Sequence, residues 1–392
     1  MGAQIDPLPS PASLGQALGQ ADAATHAGDV TTPASAVAGE SPPVPSAAKG
    51  GSVDPSSVSE RELARLPHNH SWRWSPPVYT AASCLIFLLF FVQPHSWRVR
   101  LYSSLRSLVD DERQFYTLGS LTVHTLSFAA LNGGMALIYW AGLPFFEQFK
   151  IESKPWPWHR GPKERAQYFA LVRKTLALIS FNLYFLQPIL LWVGYRDGKR
   201  MGMGGDPSPE AVPAWYTSMW QIAVCMLVED TLFYWSHRML HWPRIYGYVH
   251  KVHHQYKTSI GLASEYAHPI EFIVSNAIPF TAGPLLLGVH YWTWWQWTIL
   301  RLGETVDGHC GYEFPWSPYR LLPFSGSSTA HDYHHSHNLG NYASFFSWWD
   351  RLCGTDRPFV AFERKQIALR AAQHEAREKL RAQGKLREDK VQ

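Results

Sequence analysis

The chain has 392 residues, of which 46% are hydrophobic and 14% aromatic, and its formal net charge is +4. So small a charge, without a basic stripe or a recognition motif, argues against a nucleic-acid partner. The four cysteines are scattered and form no CxxC pair. They favour reduced, buried thiols over a disulfide framework or a zinc ribbon. The 18 Trp and 18 Tyr residues, many of them beside apolar runs, suit a membrane–water belt.

Composition divides the chain into four regions. Residues 1–66 are rich in Ala, Pro, Ser and Gly, and we expect a disordered leader because they hold too little apolar surface to offset chain entropy. Residues 67–213 are predicted to form transmembrane helices, and residues 214–360 form the histidine-rich catalytic region. Residues 361–392 are charged and helix-prone, which predicts a cytosolic tail helix.

Apolar stretches predict an all-α, polytopic membrane protein. The stretches are residues 78–92, 116–146, 175–195, 214–235 and 272–299. The fifth is interrupted by Pro279, Gly283, Pro284 and Gly288, which favours a broken helix or a re-entrant hairpin that enters and leaves on one side. About four transmembrane helices result, with a helical cap that carries a histidine-rich dimetal site. The bases in residues 147–174 place that loop and the cap in the cytosol.

Eight histidines form three compact boxes. The first box is His237 and His241, the second is His250, His253 and His254, and the third is His331, His334 and His335. Imidazole is the commonest metal-binding side chain, and histidines three or four residues apart on a helix share a face. Clustering of this kind predicts a metal centre in which all eight are ligands and catalytic residues.

Other residues extend the predicted centre. Pro243 is expected to end the first helix, so that a second helix with the second box folds back on it. His268 and His309 are candidate ligands beyond the boxes, and His337 is a weaker one. Asp230 lies two helical turns before His237, and we expect it to accept a hydrogen bond from a ligating imidazole.

The choice of metal rests on ligand number. Ten nitrogen ligands exceed the need of one tetrahedral zinc ion and fit a pair of redox-active iron ions that bind O2, although the residue chemistry does not exclude zinc. The sequence holds no P-loop, no GxGxxG motif after a strand and no HExxH motif. Electrons are therefore expected to come from a partner.

The boxes and their flanks resemble the membrane-bound fatty acid hydroxylase/sterol desaturase superfamily, and within it the C4-methylsterol oxidases. The similar stretches lie in residues 215–357 and read EDTLFYWSHRMLH, YGYVHKVHHQYKTSIGLASEYAHPIE, GHCGYEFPWSPYRLLPF and HDYHH followed by GNYASFFSWWDRLCGTD. The resemblance implies an endoplasmic-reticulum membrane enzyme with two non-haem iron ions held by the eight box histidines. It implies oxidation of a sterol C4 methyl group with O2, and electrons from NAD(P)H through cytochrome b5 or its reductase. The other enzymes of sterol C4 demethylation are the implied partners.

Two other interpretations stay open. A sister oxidase with the same boxes is one of them: a sterol C5-desaturase, a sphingolipid or fatty acyl hydroxylase, or an alkane-forming aldehyde enzyme. The other is a non-catalytic membrane protein that binds metal.

Overall fold

The computed structural model describes residues 77–200 and 205–382, so the expected leader lies outside the described residues. Within these ranges the chain is helical and forms no strand, which confirms the all-α prediction. The main helices are α1 (Pro77–Phe91), α2 (His95–Arg106), α3 (Glu112–Ala141), α4 (Pro162–Arg200), α5 (Trp215–Leu240), α6 (Pro269–Leu287), α7 (Tyr291–His309), α8 (Ser328–His337), α9 (Trp348–Cys353) and α10 (Arg357–Ala382). Short helical turns lie at Pro144–Glu147, Pro157–His159, Pro209–Ala211, Pro243–Tyr246, His253–Gln255, Gly261–Glu265 and Pro318–Leu321.

Three of the described helices, α3, α4 and α6, are long and apolar enough to cross a membrane. The pair α1 and α2, bent by 55° at a short break, adds a fourth if it counts as one span. Helix α5 covers the expected span of residues 214–235 but is not among them. Its second half carries Glu229, Asp230 and the first histidine box, and these polar residues lower its hydropathy.

The fifth apolar stretch forms a helical hairpin. Helix α6 runs through Pro279 and Pro284 and ends at Gly288, whose left-handed conformation (φ 55°) allows the chain to turn into α7. The chain thus turns at Gly288, one of the four expected interruptions, whereas the helix continues through the two prolines, where a tertiary contact compensates for a missing donor. Pro284 leaves the carbonyl of Phe280 without its helical N–H, and Trp297 Nε1 donates to that oxygen at 3.0 Å.

Two helix pairs carry the centre of the fold, α5 against α6 and α3 against α7. Gly283 lies so close to α5 that a Cβ there would come within 2.8 Å of Cys225 Cα. Buried aromatic side chains fill the space between α3 and α7, including Phe115, Tyr116 and Trp295. These contacts hold the carboxyl ends of α5 and α7, which carry His237 and His309, at fixed positions.

Candidate metal centre

The first box lies at the carboxyl end of α5. His237 occupies the last turn and His241 caps the helix, which ends because Pro243 starts a separate short turn, as predicted. The second box lies in turns and in the 3₁₀ segment His253–Gln255, so the expected second α-helix is wrong. In an α-helix these positions would place His250, His253 and His254 on one face. The irregular backbone instead places His253 in a different histidine cluster from His250 and His254.

The third box lies on α8, whose first turn is capped by Ser327 Oγ accepting from Ala330 N at 3.0 Å. His331 and His335 are four residues apart and face one way, while His334 faces another. His309, at the carboxyl end of α7, joins the same assembly.

Nine imidazoles therefore form two groups. Group 1 is His237, His241, His250, His254 and His334, and group 2 is His253, His309, His331 and His335. Within each group, one nitrogen from every ring lies within 4.8 Å of all the others. The groups are neighbours, since the rings of His254 and His335 have centroids 4.8 Å apart.

Outer hydrogen bonds fix several of these rings. In group 1, Nδ1 of His237 donates to the Tyr342 carbonyl at 2.8 Å, and Nδ1 of His250 donates to Glu271 Oε1 at 2.8 Å. His334 donates likewise to a backbone carbonyl at 2.6 Å. A neutral imidazole has one N–H, so these contacts leave Nε2 as a lone pair that faces the interior of the group.

The same arrangement occurs in group 2. Nδ1 of His309 donates to the Thr305 carbonyl at 2.7 Å, and Nδ1 of His253 donates to the Tyr266 carbonyl at 3.2 Å. Their Nε2 atoms lie 3.4 Å apart without a proton to share between them. Lone pairs that face each other in a buried site repel, and a cation between them removes that repulsion.

The donor set fits metal ions. The Nε2 atoms of His237 and His250 lie 3.1 Å apart, and those of His331 and His309 lie 2.9 Å apart. Nitrogens bound at about 2.1 Å are separated by roughly 3.0 Å at the edge of an octahedron and roughly 3.4 Å at the edge of a tetrahedron. Burial lowers the pKa of His253 to about 4 and that of His309 to about 3, so both are neutral at neutral pH, as a ligand must be.

Two of the expected site residues lie elsewhere. His268 is in neither group, because its Nδ1 accepts the Ile270 N–H at 3.2 Å and caps the start of α6. His337 is exposed at the end of α8, where its Nδ1 contacts Ser336 Oγ at 2.8 Å.

Among the described residues Asp230 contacts no imidazole, so the expected hydrogen bond to a ligating histidine is wrong. Seven residues along a helix restore the face but span roughly 10 Å, which is too far for a hydrogen bond to His237. The carboxylate accepts instead from Phe346 N at 3.0 Å and from Trp348 Nε1 at 2.7 Å. It thereby fixes the segment whose Tyr342 carbonyl orients His237.

The carboxylate that does hold an imidazole is Glu271, which sequence reasoning missed. Its side chain is buried near the start of α6, where its Oε1 accepts from His250 and its Oε2 has no partner. An acid at the start of an apolar helix was the available signal, since such residues are costly without a function.

An apolar cavity of about 230 Å³ lies among α3, α4, α6 and α7. Leu191, Phe272, Phe280 and Leu302 are among the side chains that line it. A much smaller space beside the histidines is lined by members of both groups, including His250 and His309. Because three of the four helices around the apolar cavity are long and apolar enough to cross a membrane, the cavity suits a lipid whose reacting end approaches the imidazoles.

Comparison with known proteins identifies the class. Residues 222–355 match the family model described as fatty acid hydroxylase. Methylsterol monooxygenase 1 of Rattus norvegicus is 37% identical over 257 residues, which are 65% of this chain and 82% of the relative. The chain belongs to the fatty acid hydroxylase family, and it is a membrane oxidoreductase that acts on lipids.

Two further relatives illustrate the range of the family. Methylsterol monooxygenase 2-2 of Arabidopsis thaliana is 38% identical over 249 residues, 63% of this chain and 87% of the relative. The very-long-chain aldehyde decarbonylase GL1-8 of Oryza sativa subsp. japonica is 38% identical over 251 residues, again 63% of this chain and 87% of the relative. No solved structure matches the chain.

Proposed function

We propose that the chain is a non-haem di-iron oxygenase that oxidises the C4 methyl group of 4-methylsterols. The observation that carries the proposal is the meeting of two all-imidazole groups with an apolar cavity, three of whose four surrounding helices are long and apolar enough to cross a membrane. The relatives named methylsterol monooxygenase support the choice of substrate. The stretches flanking the boxes, such as Tyr266–Glu271, support it as well.

The residues have distinct tasks in this proposal. One iron ion is held by group 1 and the other by group 2, and together they supply activation of O2 for oxidation of an unactivated methyl C–H bond. Glu271 and the backbone carbonyls that accept from His237 and His309 keep the ligand rings in place and in one tautomer. The apolar walls exclude water and hold the sterol with its methyl group towards the imidazoles.

The electron source and the cellular location belong to the same proposal. Electrons come from NAD(P)H through cytochrome b5 or its reductase, and the product passes to the other enzymes of sterol C4 demethylation. The enzyme resides in the endoplasmic-reticulum membrane, with the centre on the cytosolic side. Among the described residues, those up to 213 form the membrane region, residues 214–360 form the catalytic region, and those from 361 on form a cytosolic tail.

Purified protein tests the proposal directly. We expect two iron ions per chain and conversion of a 4,4-dimethylsterol to its C4 carboxylic acid in the presence of O2, NADH, cytochrome b5 and its reductase. His253→Ala should lower both iron content and turnover, whereas His159→Ala, at an exposed position outside both groups, should change neither. Loss of iron from His253→Ala with turnover intact would contradict an iron-dependent reaction.

An aldehyde-converting oxidase is the second candidate. The rice relative named very-long-chain aldehyde decarbonylase is as similar to the chain as the plant sterol enzyme is. The same preparation is therefore given a very-long-chain aldehyde, and the products are identified by mass spectrometry. Conversion of the aldehyde without oxidation of the sterol would replace the first candidate by the second.

A further inference from the structure

Polar side chains line the junction between the apolar cavity and the histidine groups. Asn276 and Thr305 line both the cavity and the small space beside the imidazoles. Ser275 lines the small space, its side chain is buried, and its Oγ has no hydrogen-bond partner in the part of the chain that the structure describes. The neighbouring Ser264, by contrast, donates to the Gly261 carbonyl at 2.7 Å. The junction therefore holds an unsatisfied hydroxyl where the reacting end of a bound lipid must lie.

Ser275 and Asn276 lie in an irregular part of α6. Residues Phe272–Ala277 form a π-helical segment within this helix. Both residues line the same space as Glu271, which immediately precedes the segment. Such segments are rare and occur frequently at functional sites.

We infer that Ser275 and Asn276 bind the hydroxyl group on the carbon adjacent to the one that bears the oxidised methyl. This inference rests on the proposed function, because in a 4-methylsterol C3 carries the hydroxyl and adjoins C4. A group that recognises this hydroxyl must therefore lie beside the metal-binding space rather than deep in the cavity. A hydroxyl donates one hydrogen bond and accepts two, and serine and asparagine side chains supply both complements.

The two residues set specificity without taking part in the chemistry. An apolar wall alone discriminates weakly between a sterol with a hydroxyl at C3 and one without it, since the wall forms no hydrogen bond with the hydroxyl. A buried Ser275 hydroxyl that is satisfied only by the substrate makes the sterol without oxygen a poorer ligand, because that ligand leaves the hydroxyl unpaired. The effect should appear in KM more than in kcat, since the contact exists before the reaction begins.

A substrate–enzyme cycle tests the inference. Two substrates are compared, a 4,4-dimethylsterol with its 3β-hydroxyl and the same sterol without the C3 oxygen, using wild type, Ser275→Ala and the double variant Ser275→Ala/Asn276→Ala. We expect wild type to prefer the hydroxylated sterol by roughly tenfold or more in kcat/KM. The double variant should lose most of this preference, because the hydroxylated sterol loses its partners and the sterol without oxygen no longer leaves the Ser275 hydroxyl unpaired. Ser120→Ala is the matched control, because this buried serine donates to the Tyr116 carbonyl and lines neither space.

The outcomes separate this inference from the proposed function. Turnover with an unchanged preference in the double variant overturns the inference alone and assigns Ser275 a bound water or a structural role. Failure of wild type to oxidise either sterol overturns the inference together with the proposed function. For a variant too slow to assay, equilibrium binding of the two sterols, followed by tryptophan fluorescence, gives the same ratio. Equal loss of affinity for both sterols there contradicts the inference.

Discussion

Removing the Glu271 carboxylate should weaken metal binding in group 1 specifically. Its Oε1 accepts from His250 Nδ1 at 2.8 Å, and both side chains are buried. In Glu271→Ala the His250 N–H loses its acceptor and the ring loses its fixed tautomer and orientation. Loss of such an outer partner lowers metal affinity by about 10- to 100-fold, or about 1.4–2.7 kcal/mol. Glu271→Gln keeps an acceptor oxygen, so its metal affinity should lie between those of wild type and Glu271→Ala.

The measurement is metal content against chelator concentration. Purified protein is equilibrated with iron and increasing chelator, and bound iron is counted by mass spectrometry. Wild type should lose both ions over one concentration range, whereas Glu271→Ala should release one ion at 10- to 100-fold lower chelator. Glu147→Ala is the control, since that carboxylate bonds to Tyr312 and Trp156 rather than to a histidine. Release of both ions together, or an unchanged midpoint, would refute the assignment of Glu271 to one group.

Three further predictions address residues around the centre. His268→Ala should retain two iron ions, because its Nδ1 is used as a helix cap, and metal loss on this substitution would show that the ring moves into a group. Asp230→Ala should lower the free energy of unfolding by about 2–4 kcal/mol, because two partly buried N–H donors lose their buried acceptor; an unchanged thermal midpoint in detergent would argue against these bonds. Arg301→Leu should cost about 3–5 kcal/mol, because it leaves the buried Glu229 carboxylate, 2.7 Å from Arg301 Nε, without its partner. Arg301→Leu combined with Glu229→Leu should recover part of that loss, and no recovery would contradict pairing as the cause.

Local spacing could predict that the box histidines converge but not how they divide. His237 and His241 are four residues apart and share group 1, as the helical repeat requires. His250 and His253 are three residues apart yet belong to different groups, because their backbone forms turns and a 3₁₀ segment rather than an α-helix. The division of the histidines between the two groups depends on where α5, α7 and α8 end relative to one another. The spacing of residues within one segment carries no information about the distances between these helix ends.

The carboxylate partner of the histidines could not be predicted from local spacing either. Asp230 is predicted to accept from His237 because a seven-residue interval restores the helix face. That interval also separates the two residues by roughly 10 Å along the helix axis. Glu271 is 21 residues from His250 in sequence and lies against it only because α6 packs along α5. A partner supplied by another helix is invisible to periodicity, although an acid in an apolar segment marks the residue as unusual.

Of the four residues expected to interrupt the fifth apolar stretch, Gly288 turns the chain, whereas α6 continues through its prolines. Pro284 does remove a helical hydrogen bond, but Trp297 from the other arm of the hairpin donates to the freed Phe280 carbonyl. The irregularity that α6 does contain lies one turn earlier, in the π segment that contains Ser275 and Asn276, which line the same space. A continuous α6 can span the membrane and still carry polar groups to the metal-binding space. A helix broken at the prolines would separate the lipid-facing half from Glu271 and the histidines.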